Sequence, residues 1–121
     1  MSWKGQERRE YPRAMFSCKI IVKSPHRELV SHTENIGEGG IRVNLEEELK
    51  HSAIVDLEFF LKQNKPIRCE GRIIWVVKKV SPNLRKPTMF YTGIKFRGMN
   101  IEDKKCIKQL VDEILRSKGN H

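Results

Sequence analysis

Asn35-Ile36-Gly37-Glu38-Gly39-Gly40-Ile41-Arg42-Val43-Asn44-Leu45 decides how this chain is read. Its glycines predict a turn. Directly after them Ile41, Val43 and Leu45 alternate with Arg42 and Asn44, the period of a strand with one apolar face. Gly-rich loops that cradle nucleotide phosphates lead instead into a helix, whose N-terminus meets the phosphate. This turn leads into a strand, and the Lys-Ser/Thr pair of a P-loop is missing. Nucleotide hydrolysis is therefore disfavoured.

The same period of two recurs on both sides. Upstream, Phe16, Cys18, Ile20 and Val22 predict a strand. Ser24-Pro25-His26-Arg27 is a turn signal, and Leu29 to Thr33 the returning strand of a hairpin. Downstream, Val55, Leu57, Phe59 and Leu61 form one apolar set, ended by Asn64-Lys65-Pro66. Ile67, Cys69, Gly71, Ile73, Trp75 and Val77 form the next, with Trp75 expected in the core. After a loop from Ser81 to Pro87, Phe90, Thr92, Ile94 and Phe96 form the last. Six strands joined by short connections predict a mainly β fold, a small closed or nearly closed antiparallel barrel. Gly71 and Gly93, inside strands, fit bulges or bends.

The ends of the chain differ. Residues 1–13 lack periodicity and predict a flexible leader ahead of a single domain over 14–121. Ile107, Leu110, Val111, Ile114 and Leu115 follow a helical stripe, so a helix is expected over about 100–118, N-capped by Asn100.

Composition bounds the function. The chain has 121 residues, of which 38% are apolar and 32% charged. No apolar run is long enough for a membrane span, and the N-terminus lacks the apolar core of a secretion signal. A cytoplasmic protein is expected. Cys18, Cys69 and Cys106 are far apart and read as reduced thiols. The histidines His26, His32, His51 and His121 form no metal-ligand spacing, and no nucleophile motif is present. The expectation is a protein that is not an enzyme, with no catalytic residue, metal or cofactor. The net charge of +9 is uneven. Residues 1–61 hold nine Lys/Arg and ten Asp/Glu, whereas residues 62–97 hold ten Lys/Arg against Glu70 alone. Such a field draws in anionic partners.

Ahead of the barrel lies Glu7-Arg8-Arg9-Glu10-Tyr11-Pro12-Arg13. Arg9-x-x-x-Arg13 followed by Asn35-x-Gly37-x-x-Gly40 resembles the paired signature of the PilZ domain, R-x-x-x-R and then D/N-x-S-x-x-G. Gly71-Arg72-Ile73-Ile74-Trp75 and Tyr91-Thr92-Gly93-Ile94-Lys95-Phe96 resemble the closing strands of that family. The likeness runs over roughly residues 7–115. It implies a six-stranded antiparallel barrel of the split-barrel type, a C-terminal helix, and a receptor for cyclic di-GMP, a bacterial second messenger. The implied ligand residues are Arg8, Arg9, Arg13, Asn35, Gly37 and Gly40. An arginine fork can pair bidentately with a phosphate or with a guanine O6/N7 edge. Asn35 can meet a guanine edge. Gly40 stands where positive φ or a close backbone approach is needed. Gly37 departs from the pattern, because it replaces a serine hydroxyl that would bond the ligand.

Three readings follow. In the first, the ligand orders the leader, and the change passes to an unidentified protein partner. In the second, a PilZ-like interaction module has lost nucleotide binding. In the third, which is weaker, a basic barrel binds nucleic acid; its basic strands lack the interleaved aromatics that stack bases.

Overall fold

The computed structural model describes residues 13–62, 65–83 and 85–119. Its strands are β1 (Arg13–Met15), β2 (Lys19–Lys23), β3 (Glu28–Gly37), β4 (Gly40–Leu45), β5 (Ile54–Lys62), β6 (Lys65–Lys79) and β7 (Met89–Arg97), followed by helix α1 (Ile101–Gly119). All neighbouring strands are antiparallel, in the order β1-β3-β2-β5-β6-β7-β4, and an additional β3–β4 pairing closes six of them into a barrel. The six-stranded barrel and C-terminal helix match the expectation. The seventh strand, β1, is too short to produce an alternation of its own.

The alternating residues supply the core. Ile20, Val22, Ile41, Val43, Phe59, Ile73 and Ile94 are buried, and the Phe59 and Phe96 rings stack with centroids 5.6 Å apart. Each such side chain contributes about 1.5–3 kcal/mol by leaving water. Gly71 makes room inside: a Cβ there would collide with Ile94 and Leu57.

β1 and β2 are one edge of chain broken at Phe16–Cys18, both lying along β3. Thr33, buried in β3, bridges the break. Its hydroxyl donates to the Phe16 carbonyl (2.7 Å) and accepts from the Cys18 N–H (3.0 Å). The broken strand thus keeps buried polar groups satisfied where the ladder is interrupted.

Asn100 caps α1, its Oδ1 accepting from the Asp103 N–H at 2.8 Å. The helix packs against β1 and β3. Ile107 and Val111 join the core that also holds Ala14 and Cys18, while Leu110 and Ile114 are half-buried. Leu115, at the margin of the apolar stripe, remains 38% exposed.

β6 departs from the expected face. Ile73 pairs with Ile94 but Trp75 pairs with Gly93, so one residue, Ile74, is inserted in the ladder. Such a bulge reverses the phase of all that follows. Val76 turns towards the core, and Val77, expected on the apolar face, is 54% exposed. Trp75 likewise leaves the core face.

Candidate functional site

Asn35 and Gly37 lie inside β3, which extends to the turn at Glu38-Gly39 rather than ending at Thr33. Ile36 between them is fully buried, so alternation puts Asn35 and Gly37 on the outer wall. Arg13 opens β1 directly opposite Gly37, and Met15 is opposite Asn35. The Arg13 guanidinium donates to the Asn35 amide oxygen at 3.2 Å. Residues from the two motifs, 22 positions apart, are therefore in contact. Arg8, Arg9 and the remainder of the leader lie outside the described residues.

From Asn35 a row of paired positions crosses the outer wall. Asn35 pairs with Arg42, Arg42 with Gly93, and Gly93 with Trp75. Thr92 and Ile94 are buried, so Gly93 between them faces out. The Trp75 indole occupies the space a Cβ on Gly93 would need. The glycine thus lets a flat ring lie on the sheet, and Trp75 itself stays half-buried.

Arg42 is held from two sides. Its Nε lies 2.8 Å from Glu34 Oε1, an ion pair without the angle of a directed hydrogen bond. Its guanidinium carbon stands 5.0 Å from the centre of the Tyr91 ring. Lys79 lies over the same ring at 5.3 Å and reaches the Tyr91 hydroxyl at 3.3 Å. Cation–ring contacts of this kind fix a planar donor at modest energy, about 0.5–1 kcal/mol where exposed.

Gly40 is tight for a different reason. Its φ is not left-handed; a Cβ there would fall on the Ile94 carbonyl. The close approach is to the backbone of β7, where Gly40 pairs with Lys95. Its demonstrable work is in closing the barrel wall beside the site.

Among the described residues no group of His, Cys, Asp and Glu could hold a metal ion. Burial pushes the Cys18 thiol up, and it pushes Cys69 up to about 12, with help from Asp103 and Glu70. Both stay protonated near neutrality, which withholds the thiolate that nucleophilic chemistry needs. Among the described residues no helix is long and apolar enough to cross a membrane.

Three wall residues escaped the sequence reading. Trp75 was hidden by the bulge, although Gly93 in the facing strand is the mark of a ring lying on backbone. Arg42 read as an outward residue with no role. Tyr91 carried no signal, since its contact with Arg42 depends on the β4–β7 register.

A closed β-barrel with an arginine-flanked polar row on its outer wall is thereby defined. The sequence profile of the PilZ domain matches residues 7–113, and the chain belongs to that family. Solved structures similar to it include the PilZ domain of Escherichia coli YcgR with c-di-GMP, at 15% identity and a TM-score of 0.72, covering 92% of this chain and 94% of that one. The K. pneumonia MrkH–c-di-GMP complex is similar at 18% identity and a TM-score of 0.71, over 94% of this chain and 56% of that one. The Bacillus subtilis inhibitor of motility MotI/DgrA is similar at 17% identity and a TM-score of 0.70, over 93% and 52%. The chain thus spans about half the length of MrkH and MotI. At these identities the likeness establishes the fold. A search of curated protein sequences finds no match.

Proposed function

We propose that this chain is a cyclic di-GMP receptor module whose ligand lies on the outer wall, between the leader and the Asn35–Arg42–Gly93–Trp75 row. The observation that carries this reading is the Arg13–Asn35 contact, which joins the two halves of the family signature at one end of that row. PilZ membership and the cyclic di-GMP complexes of YcgR and MrkH support the choice of ligand. Arg8, Arg9 and Arg13 pair with phosphates and guanine edges, as planar five-donor groups can. Asn35, already polarised by Arg13, meets a guanine edge. Trp75 offers its ring for stacking, and Arg42 a fixed guanidinium plane. Gly37 brings no side chain to the wall opposite Arg13, and Gly40, buried against the backbone of β7, holds β4 to it beside the site. Gly37 in place of serine removes one hydroxyl bond, worth about 0.5–1.5 kcal/mol. That weakens binding without abolishing it.

Binding orders residues 1–12 against the wall. β1, which continues from them, packs under α1, so the change reaches the C-terminal helix and the surface a partner meets. The module works in the cytoplasm of a bacterium and acts through recognition rather than catalysis.

Thermal shift of the purified chain tests this. Cyclic di-GMP should raise the melting temperature, and a chain lacking residues 1–12 should lose the rise. The rival reading, an interaction module without nucleotide binding, is favoured by Gly37 and predicts no rise in either form.

A further inference from the structure

Strand β6 is 15 residues long, and its two flanks are not equally used. Along one flank it pairs with β7 from Glu70–Arg97 to Lys79–Met89. Along the other, β5 accompanies it only as far as the Ile54–Arg72 pair. Two backbone bonds then close that ladder at Ile73: Ser52 N–H to the Ile73 carbonyl (2.7 Å) and Ile73 N–H to the Ala53 carbonyl (2.9 Å). Ser52 has φ of 71°, and the chain turns away there. Beyond it, among the described residues, Ile74–Lys79 meet no strand on that flank. Six residues give roughly 20 Å of open edge.

We propose that this edge docks an extended acidic segment of a partner protein, added to the barrel as a further strand. Strand addition takes its affinity from main-chain bonds and its specificity from alternate side chains. Both are on offer. A cleft of about 600 Å³ is lined by Ile74, Trp75 and Val76 of the strand together with Lys50 and His51. Val77 and Val80 stand 54% and 65% exposed and give apolar contacts along the hairpin.

Charge selects the occupant. Lys78 and Lys79 lie on the edge, Arg85 and Lys86 in the turn beyond, and Lys50 lines the cleft; residues 71–97 contain no Asp or Glu. Glu48, in the cleft, is the opposing charge. A second copy of β6 would set Lys78 and Lys79 against themselves, and like charges facing across a ladder repel. Lysines on an open edge guard it against self-pairing in this way. The same lysines favour an acidic strand. A nucleic acid would satisfy the cations but leave the free N–H and C=O groups and the exposed valines unused.

The test uses the full chain, isotope-labelled for amide NMR, and a synthetic extended peptide alternating Val with Glu. The peptide should shift the amides of Ile74–Lys79 and slow their exchange with solvent. Lys50→Glu with Lys78→Glu should weaken binding about tenfold, from two partly exposed ion pairs. Lys104→Glu with Lys105→Glu makes the same change in net charge on α1 and should leave it within about twofold. The amide spectrum reports whether each variant is folded. The proposal is overturned by three results: no shift along the edge, equal loss in both double variants, or protection of those amides by duplex DNA or self-association but not by the peptide.

Discussion

On the β1 flank, Arg13 reaches diagonally to Asn35 across a ladder braced by Thr33 and packed against α1. On the β6 flank, Lys78 and Lys79 stand on a strand that loses its β5 neighbour at Ile73. The first flank belongs to a charge-balanced half of the chain; the second carries nearly all of the excess positive charge. The proposed ligand, with two phosphates and two bases, calls for a few planar, directional groups at fixed positions, and a braced flank suits that reading. An acidic partner needs a field and an edge, which the open flank provides.

The largest test of this contrast is mechanical. Ile107→Ala removes the buried foot of α1 and should cost about 2–5 kcal/mol in chemical denaturation. If α1 braces the site, the same variant loosens β1, read as faster amide exchange at Ala14 and Met15, and leaves β7 unchanged. Thr33→Val strips the hydroxyl from the Phe16–Cys18 break and should cost about 1–3 kcal/mol through its unsatisfied neighbours. Trp75→Ala should weaken cyclic di-GMP by about 1–3 kcal/mol, the worth of a stacked base, while barely moving stability, since the ring lies on the outer wall. A large loss of stability would return Trp75 to a packing role. Gly37→Ser should strengthen binding by at most about tenfold; no gain would mean the ligand does not approach that residue.

The last effect is silent at neutral pH and shows only as a pH dependence. Cys69 keeps its proton up to about 12 in the folded chain, against an ordinary value of 9.0. Between those values the unfolded chain gives up a proton that the fold retains, so stability falls as pH rises. The contribution is complete below pH 9 and lost through the folded pKa. The decline in melting temperature over that window should be shallower in Cys69→Ala.

The fold was legible because most of the barrel strands carry their own alternation. Ile41, Val43 and Leu45, or Val55, Leu57 and Phe59, point inward as their spacing requires. The helix was legible from its stripe and its Asn100 cap. What periodicity could not reveal was an interruption of phase. Ile74 adds one residue to β6, and from there Trp75 and Val77 change sides. β1 has three residues and gains its identity from β3 and α1, which are distant in sequence. Of the candidate site, the resemblance to the PilZ signature implied Arg13, Asn35 and Gly37, and the structure sets Arg13 opposite Gly37 and in contact with Asn35. Arg42, Tyr91 and Trp75 become neighbours of one another only through the β4–β7–β6 register.

Calorimetric titration of the full chain with cyclic di-GMP, alongside Arg9→Ala and Arg13→Ala, tests the central claim most directly. The account predicts saturable binding at micromolar ligand or tighter, weakened by about 1–3 kcal/mol in each variant, and unchanged by Lys104→Glu with Lys105→Glu on α1. Absence of heat at high ligand concentration, or binding that ignores both arginines and falls with the α1 charges, would contradict it.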